Sequence, residues 1–168
     1  VSSKFFTATG GRLIAVNLGF KTASGSTYRI AIYGDNNGVP STTKLYSEAV
    51  DRTVSAAGNI QLSLSPAPIL PPGNFYIAVE QTSTTNMSLE YTIESPLRSN
   101  TFFTAGLIPV SWTDVGATFR INIGAQFAVY QITASAGPNG NISPAGPTPV
   151  NYNGSQTYTI TPDPCYSI

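Results

Sequence analysis

Residues 60–64 read Ile-Gln-Leu-Ser-Leu, and this short stretch decides the fold class. Its apolar side chains alternate with polar ones, which is the period of a β-strand with one buried face. The same alternation recurs in five further stripes: Ile14, Val16, Leu18 and Phe20; Tyr28, Ile30 and Ile32; Phe75, Ile77 and Val79; Met87, Leu89, Tyr91 and Ile93; Phe119, Ile121 and Ile123. We therefore predict an all-β chain folded as an antiparallel β-sandwich, in which the Tyr28 and Phe75 stripes share one core. Only Lys44 to Arg52 has a pattern compatible with a short helix.

The composition narrows the possible functions. Among 168 residues only 10% are charged, and Lys+Arg 8 balances Asp+Glu 8, so no basic surface is available for nucleic acid. Histidine is absent, which removes the commonest general base and the commonest zinc ligand. No apolar run approaches the roughly 20 residues that cross a bilayer. We predict no nucleic-acid partner and no membrane span.

A change in charge content predicts two domains. Residues 121–168 contain Asp163 as their only charged residue, whereas residues 1–120 contain the rest. We predict a β-sandwich over 1–125 and a short β-rich module over 126–168, beginning with a strand from Gln126 to Ala134.

The second module is predicted to need support from outside. Its main apolar anchors are Val150, Tyr152, Tyr158 and Ile160. Short strands with so few anchors bury too little surface to offset an ordering entropy of about 1 to 2 kcal/mol per residue. We expect a neighbouring sheet to cover them, pairing with Gln126–Ala134 or with the N-terminal strand from Phe5 to Phe20.

Two motifs in the second module carry a family resemblance. Pro138–Gly146 reads Pro-Asn-Gly-Asn-Ile-Ser-Pro-Ala-Gly, and Tyr158–Tyr166 reads Tyr-Thr-Ile-Thr-Pro-Asp-Pro-Cys-Tyr. Together they resemble the first half of the divergent B-repeat module of internalin-like surface proteins, with Cys165 at the position of the usual glycine. The resemblance implies either that this chain stops within the module or that the remaining strands of the module come from elsewhere.

The first part of the chain, about 1–125, resembles jelly-roll accessory domains of secreted and surface proteins. The similarity lies in Ile32–Ser41, in Leu45-Tyr46 and in Leu70–Val79. It implies a jelly-roll-like sandwich at an extracellular or cell-surface location. Three Asn-x-Ser sequons, at Asn86, Asn141 and Asn153, favour the same location.

Two local features have competing interpretations. Asp35-Asn36-Asn37-Gly38 offers oxygen ligands that suit calcium, but Asn-Gly is also a strong hairpin signal that needs no metal. The single cysteine, Cys165, is either an intermolecular disulfide partner or a chance replacement, and its exposure distinguishes the two.

Aromatic residues form the candidate binding set. A sugar-stacking platform would use Tyr33, Tyr46, Tyr91, Phe102, Phe103 and Trp112, with Arg98, Glu90 or Asp114 as polar contacts. The alternative is that these aromatic side chains belong to the core.

The carboxylates are the candidates for catalysis. A glycosidase pair would come from Glu80, Glu90, Glu94 and Asp114. Glu90 and Glu94 alternate with apolar residues, which favours solvated charges, and we predict no catalytic, cofactor or metal site.

The predicted function is that of a non-enzymatic extracellular structural protein. The chain would be a segment of a surface adhesin, stalk or filament that assembles through β-strand edges with copies of itself or with neighbouring surface domains. The alternative is a carbohydrate-binding accessory domain of a secreted hydrolase, which requires exposed, coplanar aromatic rings.

Overall fold

A computed structural model describes residues 1–93, 101–103, 112–114 and 120–168. Every regular element in these ranges is a β-strand, and the predicted all-β fold is confirmed. No helix long and apolar enough to cross a bilayer occurs within them. The predictions for Glu94, Arg98 and Phe119, and for the side chain of Phe103, fall outside the described residues.

The chain divides into two compact units, Val1–Phe127 and Ala128–Ile168. The strands of the first unit are β1 Ser2–Thr7, β2 Gly11–Phe20, β3 Thr27–Asn36, β4 Val39–Ser47, β5 Arg52–Thr53, β6 Gly58–Ser63, β7 Ile69–Leu70, β8 Gly73–Gln81, β9 Tyr91–Thr92, β10 Thr101–Phe103, β11 Thr113–Asp114, β12 Arg120–Ile121 and β13 Ile123–Phe127. Those of the second are β14 Tyr130–Ala134, β15 Gly140–Ser143, β16 Gly146–Val150 and β17 Thr159–Pro162.

Two antiparallel sheets form the body of the first unit. One has seven strands in the order β11-β10-β1-β8-β3-β4, with β5 also pairing β3. The other has four, in the order β13-β2-β6, with β7 also pairing β2. The short strands β9 and β12 pair with each other.

The core lies between these two sheets and is built from the alternating stripes. Tyr28, Ile30 and Ile32 of β3 are buried with Phe75, Ile77 and Val79 of β8, so the predicted shared core is confirmed. Val16, Leu18 and Phe20 of β2 and Leu62 and Leu64 face them from the other sheet. Gln61 and Ser63 are exposed, as their alternation with apolar residues predicts.

Two turns depend on left-handed backbone. Asn37 and Gly38, with φ of 53° and 89°, close the hairpin between β3 and β4, as the Asn-Gly signal predicts. Gly10, with φ of 71°, joins β1 to β2, and a Cβ at this position would lie 2.5 Å from the Leu70 carbonyl oxygen. Only glycine fits the second turn without displacing backbone.

Two sequence predictions about local structure are wrong. Residues 44–47 belong to β4 and Arg52 begins β5, so Lys44 to Arg52 is not a helix. Pairing of β4 with β3 overrides the weak helical pattern. Met87 and Leu89 do pack against the core, but Tyr91 and Ile93 are 49% and 78% exposed. The stripe that begins at Met87 leaves the core at Tyr91, because β9 is only two residues long.

One of the two strands predicted to pair with a neighbouring sheet also needs correction. Within the stretch from Phe5 to Phe20, β2 lies between β13 and β6, whereas β1 pairs with β8 along its whole length and with β10 only at Ser2 and Ser3. Pairing of this stretch with a neighbouring sheet stays a prediction. The stretch from Gln126 to Ala134 is two strands rather than one. Gln126 and Phe127 belong to β13, since the Phe127 ring packs edge-on against Phe75 in the core of the first unit, with ring centroids 5.8 Å apart.

The second unit consists of two antiparallel strand pairs, β14 with β16 and β15 with β17. Asn139 and Asn153 adopt φ of 74° and 57° at the two turns that Asn-Gly sequences predict. The rings of Tyr130 and Tyr152 lie 5.8 Å apart. Ile160, predicted to be an anchor, is 58% exposed, because residues 128–168 enclose no core that could take it.

Candidate functional site

The outer face of the seven-stranded sheet, opposite the core, carries a network of polar and aromatic side chains. In the register of β3 against β8, Tyr33 lies opposite Tyr76 and Ala31 opposite Ala78. These four side chains and Phe102 are buried in a second cluster, with Trp112 packed against it. The strands therefore bury side chains on both faces. The run Phe75–Val79, apolar or aromatic at every position, is the sequence signal of such a strand.

The first part of the network joins Tyr33 to Glu80. The Tyr33 hydroxyl donates to Glu80 Oε1 at 2.5 Å, and Lys44 Nζ lies 2.7 Å from Glu80 Oε2. Lys44 also stands 5.7 Å from the centre of the Tyr33 ring. Burial, followed by the hydrogen bond to Glu80, raises the pKa of Tyr33 well above its usual range. Tyr33 is thus a fixed donor that orients a partly exposed carboxylate.

The second part of the network joins Tyr76 to Asp35. The Tyr76 hydroxyl donates to Asp35 Oδ1 at 2.6 Å, and the Gly38 amide donates to Asp35 Oδ2 at 3.2 Å. The Tyr76 hydrogen bond lowers the pKa of Asp35, and burial raises that of Tyr76. Both carboxylate oxygens of Asp35 thus accept hydrogen bonds from groups of the protein. The bond from Gly38 closes the β3–β4 hairpin.

Of the six aromatic residues proposed as a sugar platform, the structure brings Tyr33, Phe102 and Trp112 together on the outer face. Their rings are not coplanar, however. Tyr33 meets Trp112 at 77° and Tyr76 meets Phe102 at 80°, with centroids 5.3 and 5.4 Å apart. Tyr33 and Phe102 are buried, so an exposed stacking platform made from them is wrong. Edge-to-face packing is a core arrangement.

Two of the other three aromatic residues, Tyr46 and Tyr91, lie elsewhere, and the side chain of Phe103 is outside the described residues. Tyr46 packs against the core between the sheets. The exposed Tyr91 has Lys21 Nζ 4.4 Å from its ring centre.

The candidate carboxylates that the structure describes, Glu80, Glu90 and Asp114, do not converge into a glycosidase pair. Glu80 is on β8 and Asp114 is on β11, three strand spacings or about 14 Å away. Glycosidase pairs lie roughly 5 to 9.5 Å apart. Glu90 belongs with the other sheet, where its amide bonds to the Gly19 carbonyl and its Oε2 accepts from Asn122 at 3.3 Å. Among the described residues, no group of three or more Asp, Glu or Cys side chains is placed to hold a metal ion.

Sequence reasoning missed two members of the network, Tyr76 and Lys44. Their roles depend on cross-strand neighbours. Tyr33 of β3 lies opposite Tyr76 of β8 on one side and opposite Lys44 of β4 on the other. The apolar run around Tyr76 signals burial, but the hydrogen-bond partner of Tyr76 cannot be read from it.

The second unit is the other candidate site, because its surface is incompletely covered. None of its 41 residues, 128–168, is buried. Val129 is 88% exposed, and Ile160, Tyr166 and Ile168 are exposed too. Among the strands that the structure describes, each of its four strands pairs with one other strand. Among the described residues, this unit therefore leaves apolar side chains and strand edges uncovered.

The modification candidates in these regions are accessible. Cys165 is an exposed free thiol, with φ of 74°. Asn86, Asn141 and Asn153 are exposed as well. Disulfide formation and glycosylation at these positions stay predictions.

Comparisons with known proteins identify a fold but no family. No family model matches the sequence, and no curated protein matches it. Among solved structures, the chain is similar to that of the cysteine protease and lectin-like domains of Cwp84, a surface layer associated protein of Clostridium difficile. The TM-score is 0.56 at 20% sequence identity, over 74% of this chain and 30% of that one. At this identity the likeness establishes a shared fold. The match covers the lectin-like part and leaves out the protease domain.

Proposed function

We propose that this chain is a non-enzymatic structural module of an extracellular surface protein, in which the second unit completes its fold by pairing with β-strands of a neighbour. The observation that carries the proposal is the absence of any buried residue in residues 128–168. A stretch of this length costs tens of kcal/mol in backbone order, at about 1 kcal/mol or more per residue. In this proposal a partner supplies the missing burial.

Charge and location support the same function. Asp163 is the only charged residue after Arg120, so copies can approach through this region with little electrostatic repulsion. The shared fold with a surface-layer-associated protein supports a place at the cell surface. The sequence resemblance of residues 126–168 to a B-repeat half-module supports assembly in tandem or between chains.

Hydrogen exchange, measured on the dispersed monomer and on the assembled form, tests this function. We expect residues 148–161 to exchange fast in the monomer and to be strongly protected after assembly. The core strands β3 and β8 should be equally protected in both forms and serve as the internal control. Equal, strong protection of residues 148–161 in both forms would falsify the proposal. Electron micrographs of the assembled form should show a filament or a tandem lattice.

Carbohydrate binding at the outer face is a second candidate function. It is favoured by the partly exposed Glu80 and the exposed Asp35, each held in place by a buried tyrosine, because such fixed carboxylates accept hydrogen bonds from sugar hydroxyls. The fold neighbour also carries a domain described as lectin-like.

A glycan array tests this second function. Glu80→Gln and Asp35→Asn should each weaken binding to any glycan retained by the unmodified chain, and Asp51→Asn, at an exposed carboxylate bonded to Arg29, should not. Retention of no glycan, or equal retention by all variants, removes the outer face as a sugar site.

A further inference from the structure

The two prolines of β16 determine which side of the second unit is open to a partner strand. Pro147 pairs with Thr133 and Pro149 with Gln131, in an unbroken register of five pairs. Proline has no N–H to give to a ladder, so the hydrogen bonds between the strands must come from the residues between and beside the prolines. The backbone nitrogens of Pro147 and Pro149 therefore point away from β14, and the outer edge of β16 lacks two N–H donors.

The same register leaves β14 with a complete outer edge. Tyr130, Ile132 and Ala134 bond to β16, so Gln131 and Thr133 direct their N–H and C=O groups outward. The strand reads Tyr-Gln-Ile-Thr-Ala, with no charge, proline or glycine. Ile132 is 37% exposed. These are the properties of a strand that accepts another strand.

Other edges in the described part of the chain are protected. The pairing of β4 is irregular at two points, and Ser41 Oγ bonds to the Thr43 carbonyl within the strand. The outer side of β6 is capped where Arg52 Nη2 donates to the Ser63 carbonyl at 2.7 Å.

The remaining edges are also weak templates. β13 carries a bulge between Gln126 and Phe127. Pro162 of β17 pairs with Gly140, and since it cannot donate, it removes a donor from the outer edge of that strand. Bulges, prolines and charged caps are devices that prevent strand addition. Among described strands of five residues or more, β14 has none of them.

We propose that two copies of this chain pair through β14, antiparallel, about a two-fold axis at Ile132. This proposal rests on the proposed function and names one contact of the assembly, the one that joins copies in pairs. Because the axis passes through the middle residue, every residue of β14 lies opposite a β14 residue of the other copy. Gln131 of each copy lies opposite Thr133 of the other. Each of these two pairs exchanges two main-chain hydrogen bonds, which makes four in all. Such an isologous contact closes on itself. It joins the two β14–β16 pairs into one four-stranded sheet.

The symmetry gives a sharp test by cysteine cross-linking. In a two-fold antiparallel pair, only the residue on the axis lies opposite itself, with Cα atoms about 4.5 Å apart, within reach of a disulfide. In a Cys165→Ser background, Ile132→Cys should form a covalent dimer under mild oxidation. Gln131→Cys and Thr133→Cys should each stay largely monomeric alone but cross-link when mixed.

Blocking the edge tests the contact without a new thiol. Thr133→Pro removes one outward N–H and no hydrogen bond to β16, so the dimer measured by light scattering should be lost. Thr133→Val keeps the N–H and should leave the dimer intact. Circular dichroism and hydrogen exchange of β3 and β8 verify that the first unit is folded in both variants.

The outcomes separate this contact from the function it rests on. A dimer or filament that survives Thr133→Pro, or that cross-links at other strands and not at Ile132, overturns the β14 contact while leaving the structural function standing. A monomer with strong intrinsic protection of residues 148–161 overturns both.

Discussion

The Tyr76 hydroxyl donates to the Asp35 carboxylate at 2.6 Å and so ties the middle of the seven-stranded sheet to the β3–β4 hairpin. Tyr76 is buried and Asp35 is exposed. A bond of this kind stabilises the folded protein only while the carboxylate is ionised, so it links stability to pH.

Tyr76→Phe should lower the free energy of unfolding at pH 7 by about 1 kcal/mol, which is less than a bond to a charged group usually contributes because Asp35 is screened by water. The pKa of Asp35 is lowered in the folded protein from its ordinary 3.8, so the bond contributes above that pH and is lost as the pH falls through the folded value. Urea unfolding of both proteins at pH 7 and at pH 3 should show a smaller difference at the lower pH. An equal difference at both would contradict the assignment.

Ile77→Ala should cost about 2 to 5 kcal/mol of unfolding free energy, because Ile77 is fully buried between the sheets. Ile93→Ala removes the same atoms from an exposed position and should change stability by less than about 0.5 kcal/mol. Chemical denaturation of the two variants compares them directly. A small effect at Ile77 would mean that the buried face had been assigned incorrectly.

Gly10→Ala should destabilise the first unit more than Gly25→Ala does. Both glycines have positive φ, near 70°, and each replacement costs about 1 to 2 kcal/mol of backbone strain. At Gly10 the new Cβ would also strike the Leu70 carbonyl, whereas at Gly25 it meets open space. Thermal unfolding should rank wild type above Gly25→Ala and Gly25→Ala above Gly10→Ala, and the reverse order of the two variants is incompatible with the turn geometry.

Cys165→Gly should stabilise the turn near the end of the second unit. Cys165 has φ of 74°, and the turn is closed by the Tyr166 amide, which donates to the Asp163 carbonyl at 3.0 Å. Relative to Cys165→Ala, which also removes the thiol but keeps Cβ, glycine should favour this turn by about 1 kcal/mol. Exchange of the Tyr166 amide should then be several-fold slower in Cys165→Gly. Equal exchange rates in the two variants would show that the left-handed conformation is not maintained.

The buried stripes of the first unit could be predicted from the sequence because alternation reports burial directly. Val16 and Leu62 are apolar residues between polar or small ones, and Ile77 lies in a run that is apolar on both faces of its strand. All three lie in the core. The alternation at Tyr91 and Ile93 is equally regular but misleading. A periodic pattern shows that a segment has an apolar face, and only the tertiary fold determines whether another layer covers it.

The outer-face network was beyond sequence reasoning for a different reason. Glu80 bonds to a tyrosine 47 residues away in the sequence, and Asp35 bonds to one 41 residues away. Strand register brings both pairs of side chains together. Register follows from which strands become neighbours, and local patterns do not specify this. Asn37, Asn139 and Asn153, by contrast, were recognisable as turn residues, because their left-handed backbone is a local property of Asn-Gly sequences.

The placement of β1 and β13 in opposite sheets determines how the first unit would respond to tension. A force applied between Ser2 and Phe127 would act on both layers at once. β1 pairs with β8 along its whole length and with β10 at Ser2 and Ser3, whereas β2 is the one described strand that pairs with β13. Under load β13 would detach first, uncovering the Phe127 ring from Phe75, while β1 would stay anchored in the middle of its sheet. The unit would lengthen by releasing one edge strand before the rest of its core separates.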